Sequence, residues 1–165
     1  MFRILVLSDS HSDTASLRYA IKNEAQAQAV LFLGDGLNDY EEINFPGRIY
    51  SSAVRGNCDS SFAPYPLFRE EIFAGKRIYM SHGHMEHVKY GTTEFEETAR
   101  LHNADIALHG HTHIPYTDYR DGMYIMNPGS VRENSCGIID ITDSGIMCYT
   151  KRIITIQPSD SRYYG

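Results

Sequence analysis

The chain has 165 residues, 42% of them hydrophobic and 22% charged, and a formal net charge of −6. That length suits one domain with a real core, so residues 1–165 are expected to form a single domain, and the composition excludes an intrinsically disordered chain. No basic block offsets the acidic balance, which argues against a nucleic-acid backbone as the main partner. Met1 runs straight into Phe2-Arg3-Ile4-Leu5-Val6-Leu7, too short for a signal-peptide core and without a cleavage site. No segment reaches the roughly 20 apolar residues that cross a bilayer. The expectation is therefore a cytoplasmic protein with no membrane partner. Cys58, Cys136 and Cys148 are odd in number and irregularly spaced, which does not make a disulfide framework.

Residues 3–8 are dominated by aliphatic side chains and read as a strand buried on both faces, as in parallel sheets. Asp13 or Thr14 then caps a helix expected to run to about Gln28, with Leu17, Ala20, Ile21 and Ala25 forming its buried stripe. Ala29 to Leu33 is a second buried strand, followed by a weaker helix over 38–43. A third strand covers 48–54, and 67–73 and 76–81 flank Ala74-Gly75 as a β-hairpin. Acidic residues early and Arg100 and His102 late favour a helix over 92–103. Strands alternating with helices imply right-handed crossovers and a mainly parallel sheet. From Pro115 the pattern changes to a β-meander, with strands at 116–120, 123–126, 136–141 and 146–156, and a loose tail from Pro158.

The short apolar run Asp105-Ile106-Ala107-Leu108 leads into His109-Gly110-His111-Thr112-His113. On an extended segment, side chains two apart point the same way, so His111 and His113 would offer two imidazoles to one or two metal ions. Alone, the triplet reads more readily as a histidine-rich polar turn. The other strand ends decide the matter. Apolar runs terminate at Asp9 and His11, at Asp35, at Asn57, at His82, and at His111 and His113. Ligands bind outside the carboxyl ends of strands in α/β sheets, so these clusters converge. Carboxylate, imidazole and amide without a thiolate pair suit Mn²⁺, Fe²⁺, Zn²⁺ or Ni²⁺ rather than a structural zinc cage. Seven side chains are too many for one ion. Two ions about 3.5–4 Å apart, bridged by a carboxylate and a hydroxide, form a hydrolytic site for phosphate esters.

Asp9-x-His11, Gly34-Asp35, Gly56-Asn57, His82 in Ser-His-Gly-His, and Gly110-His111-Thr112-His113 resemble, in order and spacing, the five motifs of the calcineurin-like metallophosphoesterases. Gly-Asn-Cys-Asp at 56–59 and Asn127-Pro128-Gly129-Ser130 are similar to the small bacterial and archaeal YfcE-type phosphodiesterases. The resemblance implies an α/β, four-layer αββα sandwich in which the β-meander supplies the second sheet. It also implies a dinuclear metal site at the strand C-terminal ends. It places Asp9, His11 and His113 on one metal, Asn57, His82 and His111 on the other, and Asp35 between them. Mn²⁺ is the expected ion, with Ni²⁺, Fe²⁺ and Zn²⁺ as alternatives. The implied reaction is hydrolysis of a small or nucleotide-derived phosphodiester by a two-metal-activated hydroxide. Phosphomonoester hydrolysis on the same site is an alternative, as is a non-catalytic scaffold like the retromer subunit, whose site is altered whereas this chain keeps all seven ligands.

Asp35, Asn57, Cys58, Asp59 and His84 are the candidate catalytic residues. Larger family members carry a histidine where this chain has Cys58, and a neutral thiol replaces an imidazolium poorly. Metal-bound water, another histidine or a good leaving group then takes over the leaving-group proton. Cys58 as a nucleophile has no base beside it in sequence. His84 either touches substrate or supports the ligands, and Asp59 either hydrogen-bonds a ligand or fixes the turn after Asn57. His109 orients its neighbours or packs beneath them, His87 reads as a solvated loop residue, and His102 makes a favourable dipole contact at a helix C-terminus. Asn127-Pro128-Gly129-Ser130 is either a plain turn or a loop supporting the ligand histidines. Self-association through an exposed edge or the Tyr-rich tail is an open expectation.

Overall fold

A computed structural model of the chain describes residues 1–154. The loose tail expected from Pro158 and the last two residues of the strand expected to reach Ile156 lie outside the described residues. Strand β1 (Phe2–Leu7) shows why the fold has layers. Its side chains alternate between two different cores, Leu5 and Leu7 facing one and Ile4 and Val6 the other. A strand that is apolar on both faces needs cover on both, and each face has its own.

On one face lie α1 (Thr14–Asn23) and α2 (Leu37–Glu41). Leu17 and Ala20 of α1 and Leu37 and Tyr40 of α2 pack with Leu5, Leu7, Val30 and Phe32. The other face meets a second sheet, where Ile4, Val6, Leu31 and Leu33 pack against Ile78, Met80, Leu108 and Met126. The second sheet is covered in turn by α3 (Thr93–Leu101), whose Phe95 and Ala99 pack on Tyr79, Ala107 and Ile125. The architecture is the four-layer αββα sandwich.

The first sheet contains β1, β2 (Ala29–Phe32), β3 (Tyr50–Ala53), β9 (Ser135–Thr142) and β10 (Gly145–Arg152), ordered β10-β9-β1-β2-β3. The second contains β4 (Phe68–Phe73), β5 (Lys76–Ser81), β6 (Ile106–Leu108), β7 (Tyr116–Arg120) and β8 (Met123–Asn127), ordered β4-β5-β6-β8-β7. Within the first, β1-β2-β3 are parallel; within the second, β5-β6-β8 are parallel.

This partition corrects two expectations. The five ligand-bearing strands do not share one sheet: three lie in the first and two, β5 and β6, in the second. Nor does the meander form the second sheet by itself. Its first hairpin extends that sheet beside β6, and its second hairpin crosses to the first sheet beside β1. The crossing follows from burial, because β9 is buried from Ser135 to Ile141 and requires a covered position, whereas β10 tolerates the edge.

Helix α1 also ends earlier than expected, at Asn23. Asp13 caps its start by accepting from the Ser16 amide at 3.0 Å. At its end Glu24 is drawn inward, 3% exposed, and pairs with Arg3 at 3.5 Å and with Lys151. Arg3 also grips Asp140 through two bonds of 2.7 Å. These tertiary ion pairs end the helix. As a check on the layering, Phe95→Ala should lower the unfolding free energy by about 3–5 kcal/mol in a urea titration; a loss below about 1 kcal/mol would mean that α3 does not seal the second sheet.

Candidate metal centre

Strands β1, β2 and β6 deliver their terminal polar residues through sharp reversals. Asp9, His11, Asp35, His111 and His113 have φ of 56°, 44°, 58°, 69° and 62°. Left-handed backbone costs a non-glycine residue on the order of 1–2 kcal/mol, and such strain persists where the surroundings over-determine it. It corrects one expectation, since the 111–113 segment is not extended. His111 and His113 therefore point to different neighbours.

Close backbone approaches bring the loops together. Asp9 N donates to Gly34 O at 3.0 Å and His11 N to Asp35 O at 3.2 Å, tying the loop after β1 to the loop after β2. Gly110 carries the junction between the sheets: its amide donates to His82 O at 3.0 Å, and a Cβ there would lie 2.8 Å from Asp9 Oδ2. Only glycine lets the loop after β6 reach Asp9.

Six of the seven expected ligands converge. The candidate ligand atoms of Asp9, His11 and His113 lie within 4.8 Å of one another, as do those of Asp35, His82 and His111, and those of His11, Asp35 and Cys58. Nε2 of His11 and Nε2 of His113 are 3.2 Å apart, and so are Nε2 of His82 and Nδ1 of His111. Asp35 Oδ2 lies 3.3 Å from His82 Nε2 and 3.9 Å from His11 Nε2, reaching both groups. Asp9 is wholly buried. Its Oδ2 accepts from Ser8 Oγ at 2.5 Å and from His111 N at 3.1 Å, while its Oδ1 has no hydrogen-bond partner among the described residues. Around that oxygen stand Nε2 of His113 at 3.1 Å, of His11 at 3.6 Å and of His82 at 4.0 Å.

These distances fit cations. Metal–nitrogen bonds of about 2.0–2.1 Å set neighbouring donor atoms roughly 2.9–3.4 Å apart at octahedral to tetrahedral angles. His82 donates from Nδ1 to Leu33 O at 2.7 Å, which turns its Nε2 lone pair to the centre. His113 has Nδ1 3.3 Å from Glu133 Oε1, which orients its Nε2 likewise.

The electrostatics point the same way. Burial alone would raise the Asp35 carboxyl, but hydrogen bonding and charge from His82, with the Cys58 amide at 2.7 Å, hold it well below the ordinary carboxylate range. Burial opposes charge on His82, yet Asp35 and Asp9 outweigh it and raise its pKa. Burial and the neighbouring His82 push His111 down to about 4 and also lower His84. The two buried carboxylates thus favour positive charge at the centre, while His111 and His84 are held in the neutral form that ligates metals.

The remaining candidates are placed differently. Asn57 is exposed, and its amide donates to Cys58 Sγ at 3.3 Å, beside the His11 and Asp35 group. The Cys58 thiol is pushed up to about 11, by burial and then by Asp35, so it stays protonated at neutral pH. His84 has its ring 5.4 Å from that of His82 and 6.2 Å from that of His111, with Nδ1 lacking a partner among the described residues. Asp59 fixes a turn: its two oxygens accept from the amides of Asp35 and Gly56 at 2.8 Å and of Gly36 and Leu37 at 2.9 Å. His109 is buried against Phe95, with ring centroids 4.9 Å apart, and burial lowers it to about 4.

Two supporting residues, Ser8 and Glu133, lay outside the sequence reading. Ser8 and Glu133 hold Asp9 and His113, and Ser130 donates to the Asp9 carbonyl at 2.8 Å. Asn127 donates to Gly110 O at 3.0 Å and to Thr112 Oγ1 at 2.8 Å, so the Asn-Pro-Gly-Ser segment does brace the histidine loop. Buried polar residues directly before a strand-end aspartate were the available signal for Ser8; nothing local marks Glu133.

Residues 2–144 match the model of the calcineurin-like phosphoesterase superfamily domain, and the chain belongs to that family. It is a metallophosphoesterase, a hydrolase whose family uses divalent metals. Among its relatives, the probable metallophosphoesterase YsnB of Bacillus subtilis is 32% identical over 133 residues, covering 78% of this chain and 75% of the relative. The phosphodiesterase YfcE of Escherichia coli K12 is 28% identical over 154 residues, covering 79% and 80%. The crystal structure of a predicted phosphoesterase from Streptococcus pneumoniae TIGR4 superposes with a TM-score of 0.76 at 25% identity, covering 96% of this chain and 94% of that one.

The geometry makes a specific expectation for Asp59. Asp59→Asn keeps its shape but replaces two acceptor oxygens by one. It should cost about 2–4 kcal/mol of stability and speed hydrogen exchange at the Gly36 and Leu37 amides; unchanged exchange there would show that the carboxylate does not hold the two loops together.

Proposed function

We propose that this metallophosphoesterase hydrolyses phosphodiesters with two divalent ions. Asp9, His11 and His113 hold one, Asn57, His82 and His111 the other, and Asp35 serves both. The observation that carries the reading is the wholly buried Asp9 Oδ1, without a hydrogen-bond donor and facing imidazole nitrogens. A buried carboxylate oxygen without a partner is expensive unless a cation completes it. Asp35 supports the bridging role by lying near both histidine pairs. Asn57 would swing its amide carbonyl inward from its present contact with Cys58.

Two divalent ions at such a site supply a hydroxide nucleophile at neutral pH and offset charge on the phosphoryl oxygens. The chain itself does the holding. Leu33 O locks the His82 ring, Glu133 orients His113, and Ser8 and the His111 amide fix Asp9. His84, whose ring lies 5.4 Å from that of His82, is assigned to the phosphoryl or leaving oxygen. Cys58, protonated, is no nucleophile here. The preference for diesters is supported by the named activity of YfcE. A small or nucleotide-derived ester is the proposed substrate class and the cytoplasm the proposed compartment; among the described residues no helix is long and apolar enough to cross a membrane.

Manganese is the proposed ion, with Ni²⁺, Fe²⁺ and Zn²⁺ competing through availability, since carboxylate and imidazole donors accept all four. The scaffold alternative is disfavoured by the strain at Asp9, His11, Asp35, His111 and His113, because an interaction surface has no use for five left-handed residues aimed at one point.

Protein loaded with Mn²⁺ is expected to cleave a bis-aryl phosphodiester faster than the matching monoester, and EDTA should abolish turnover until metal is restored. Faster monoester cleavage would make it a phosphatase, and no cleavage at any metal loading would refute the reading. Asp35→Asn, which removes the bridging charge, should lower kcat/KM by about 100-fold or more; near-native turnover would remove Asp35 from its assigned role.

A further inference from the structure

Beside the candidate centre the surface carries a second feature that metal binding does not use. A pocket of about 660 Å³ is lined by Val88, Lys89, Thr92, His109, Ile114 and Tyr116, and its wall includes Thr112, the residue between His111 and His113. The pocket therefore begins one residue from two candidate ligands. Its walls come from the loops that follow β5 and β6, the two loops that bring His82 and His111 to the site. A pocket lining this apolar, sharing a loop with the candidate ligands, is the usual form of a specificity subsite.

Four observations restrict what it takes. Val88, Ile114 and Tyr116 supply an apolar wall, and Ile114 is 68% exposed. Large apolar groups left open next to a reactive centre mark a contact surface. Lys89 lines the pocket and makes no ion pair among the described residues. A free ammonium beside a phosphate site suits an anion. Thr92 adds a hydroxyl, although Glu96 Oε1 accepts from it at 2.7 Å. Finally, the loop that carries Lys89 and Tyr90 is held in shape: Val88 N donates to Gly83 O at 3.2 Å, and a Cβ at Gly83 would lie 2.8 Å from the Val88 side chain. The pocket wall is thus built on the same turn that presents His82.

We infer that this pocket is the subsite for the ester group retained on phosphorus, and that it selects an aromatic group there, packed on Val88, Ile114 and Tyr116 while Lys89 faces the phosphodiester anion. The inference rests on the phosphodiesterase reading of the centre and narrows its substrate class to diesters with at least one aryl or heteroaryl ester. Burying one ring face against such a wall is enough for roughly a tenfold preference or more.

The test uses the full chain loaded with Mn²⁺ and two phosphodiesters that share a nitrophenyl leaving group, one with a methyl and one with a phenyl second ester. The expected kcat/KM is about tenfold or more higher for the phenyl ester, and Ile114→Ser should bring the ratio to within about threefold. Ile72→Ser, an exposed apolar residue on β4 outside the pocket, should leave the ratio and both rates unchanged. A ratio near one in the wild type, or a ratio that survives Ile114→Ser, overturns the subsite. A change of sedimentation with Ile114→Ser and no change of ratio assigns the patch to contacts between copies of the chain and overturns it as well.

A binding measurement separates this inference from the reading it rests on. In the Zn²⁺-loaded protein, phenylphosphonate should shift the Ile114 Cδ1 methyl resonance by its ring current, and methylphosphonate should not. If neither diester is cleaved but the shift is seen, the catalytic reading fails and the subsite stands. If the diesters are cleaved and no shift occurs, the subsite fails alone.

Discussion

The wholly buried carboxylate of Asp9 is the constraint on which the rest of the site depends. It stands at the end of β1, the strand that faces both cores, and it cannot retreat to water. One of its oxygens is satisfied by Ser8 and the His111 amide; the other has no hydrogen-bond partner among the described residues and stands among imidazole nitrogens. Removing a carboxylate from water costs several kcal/mol unless charge or hydrogen bonds replace the solvent. Positive charge at the centre is the replacement, supplied by divalent ions in the proposed holoenzyme. The neighbouring loops are shaped to allow it, with Gly110 bringing the second sheet's loop against Asp9 and Ser130 gripping its carbonyl.

Two sheets are needed for such a site. Parallel strands β1, β2 and β3 bring Asp9, His11, Asp35 and Asn57 to one rim, and β5 and β6 bring His82, His111 and His113 to the facing rim. The inter-sheet core of Ile4, Val6, Leu31, Ile78, Met80 and Leu108 fixes the distance between those rims. A packed core transmits position because it tolerates little change in volume. The ligand geometry is thus set by aliphatic residues several positions away from any polar group. The strained turns then convert strand direction into side-chain convergence.

Much of this was legible in the sequence, for identifiable reasons. Strand ends were readable because a buried run that stops at Asp, His or Asn departs from ordinary turn chemistry, and five such stops reinforce one another. The hairpin at Ala74-Gly75 and the cap at Asp13 were readable because both are local. The distribution of strands between two sheets was not, because β2 and β6 are equally apolar runs and pairing is decided by long-range packing. The early end of α1 was hidden for the same reason: Glu24 leaves the helix to meet Arg3 and Lys151, one far before it in the chain and the other far after. The direction of His111 and His113 depended on positive φ values that non-glycine residues seldom adopt. Asp59 looked like a catalytic candidate, and its oxygens are taken up by four backbone amides.

The central claim, that buried Asp9 and bridging Asp35 organise two cation sites, is tested most directly by anomalous diffraction from crystals of the Mn²⁺-loaded protein. Two anomalous peaks about 3.5–4 Å apart are expected, one bounded by Asp9, His11 and His113, the other by Asn57, His82 and His111, with Asp35 touching both. A single peak, or none within bonding distance of Asp9 Oδ1, would contradict it.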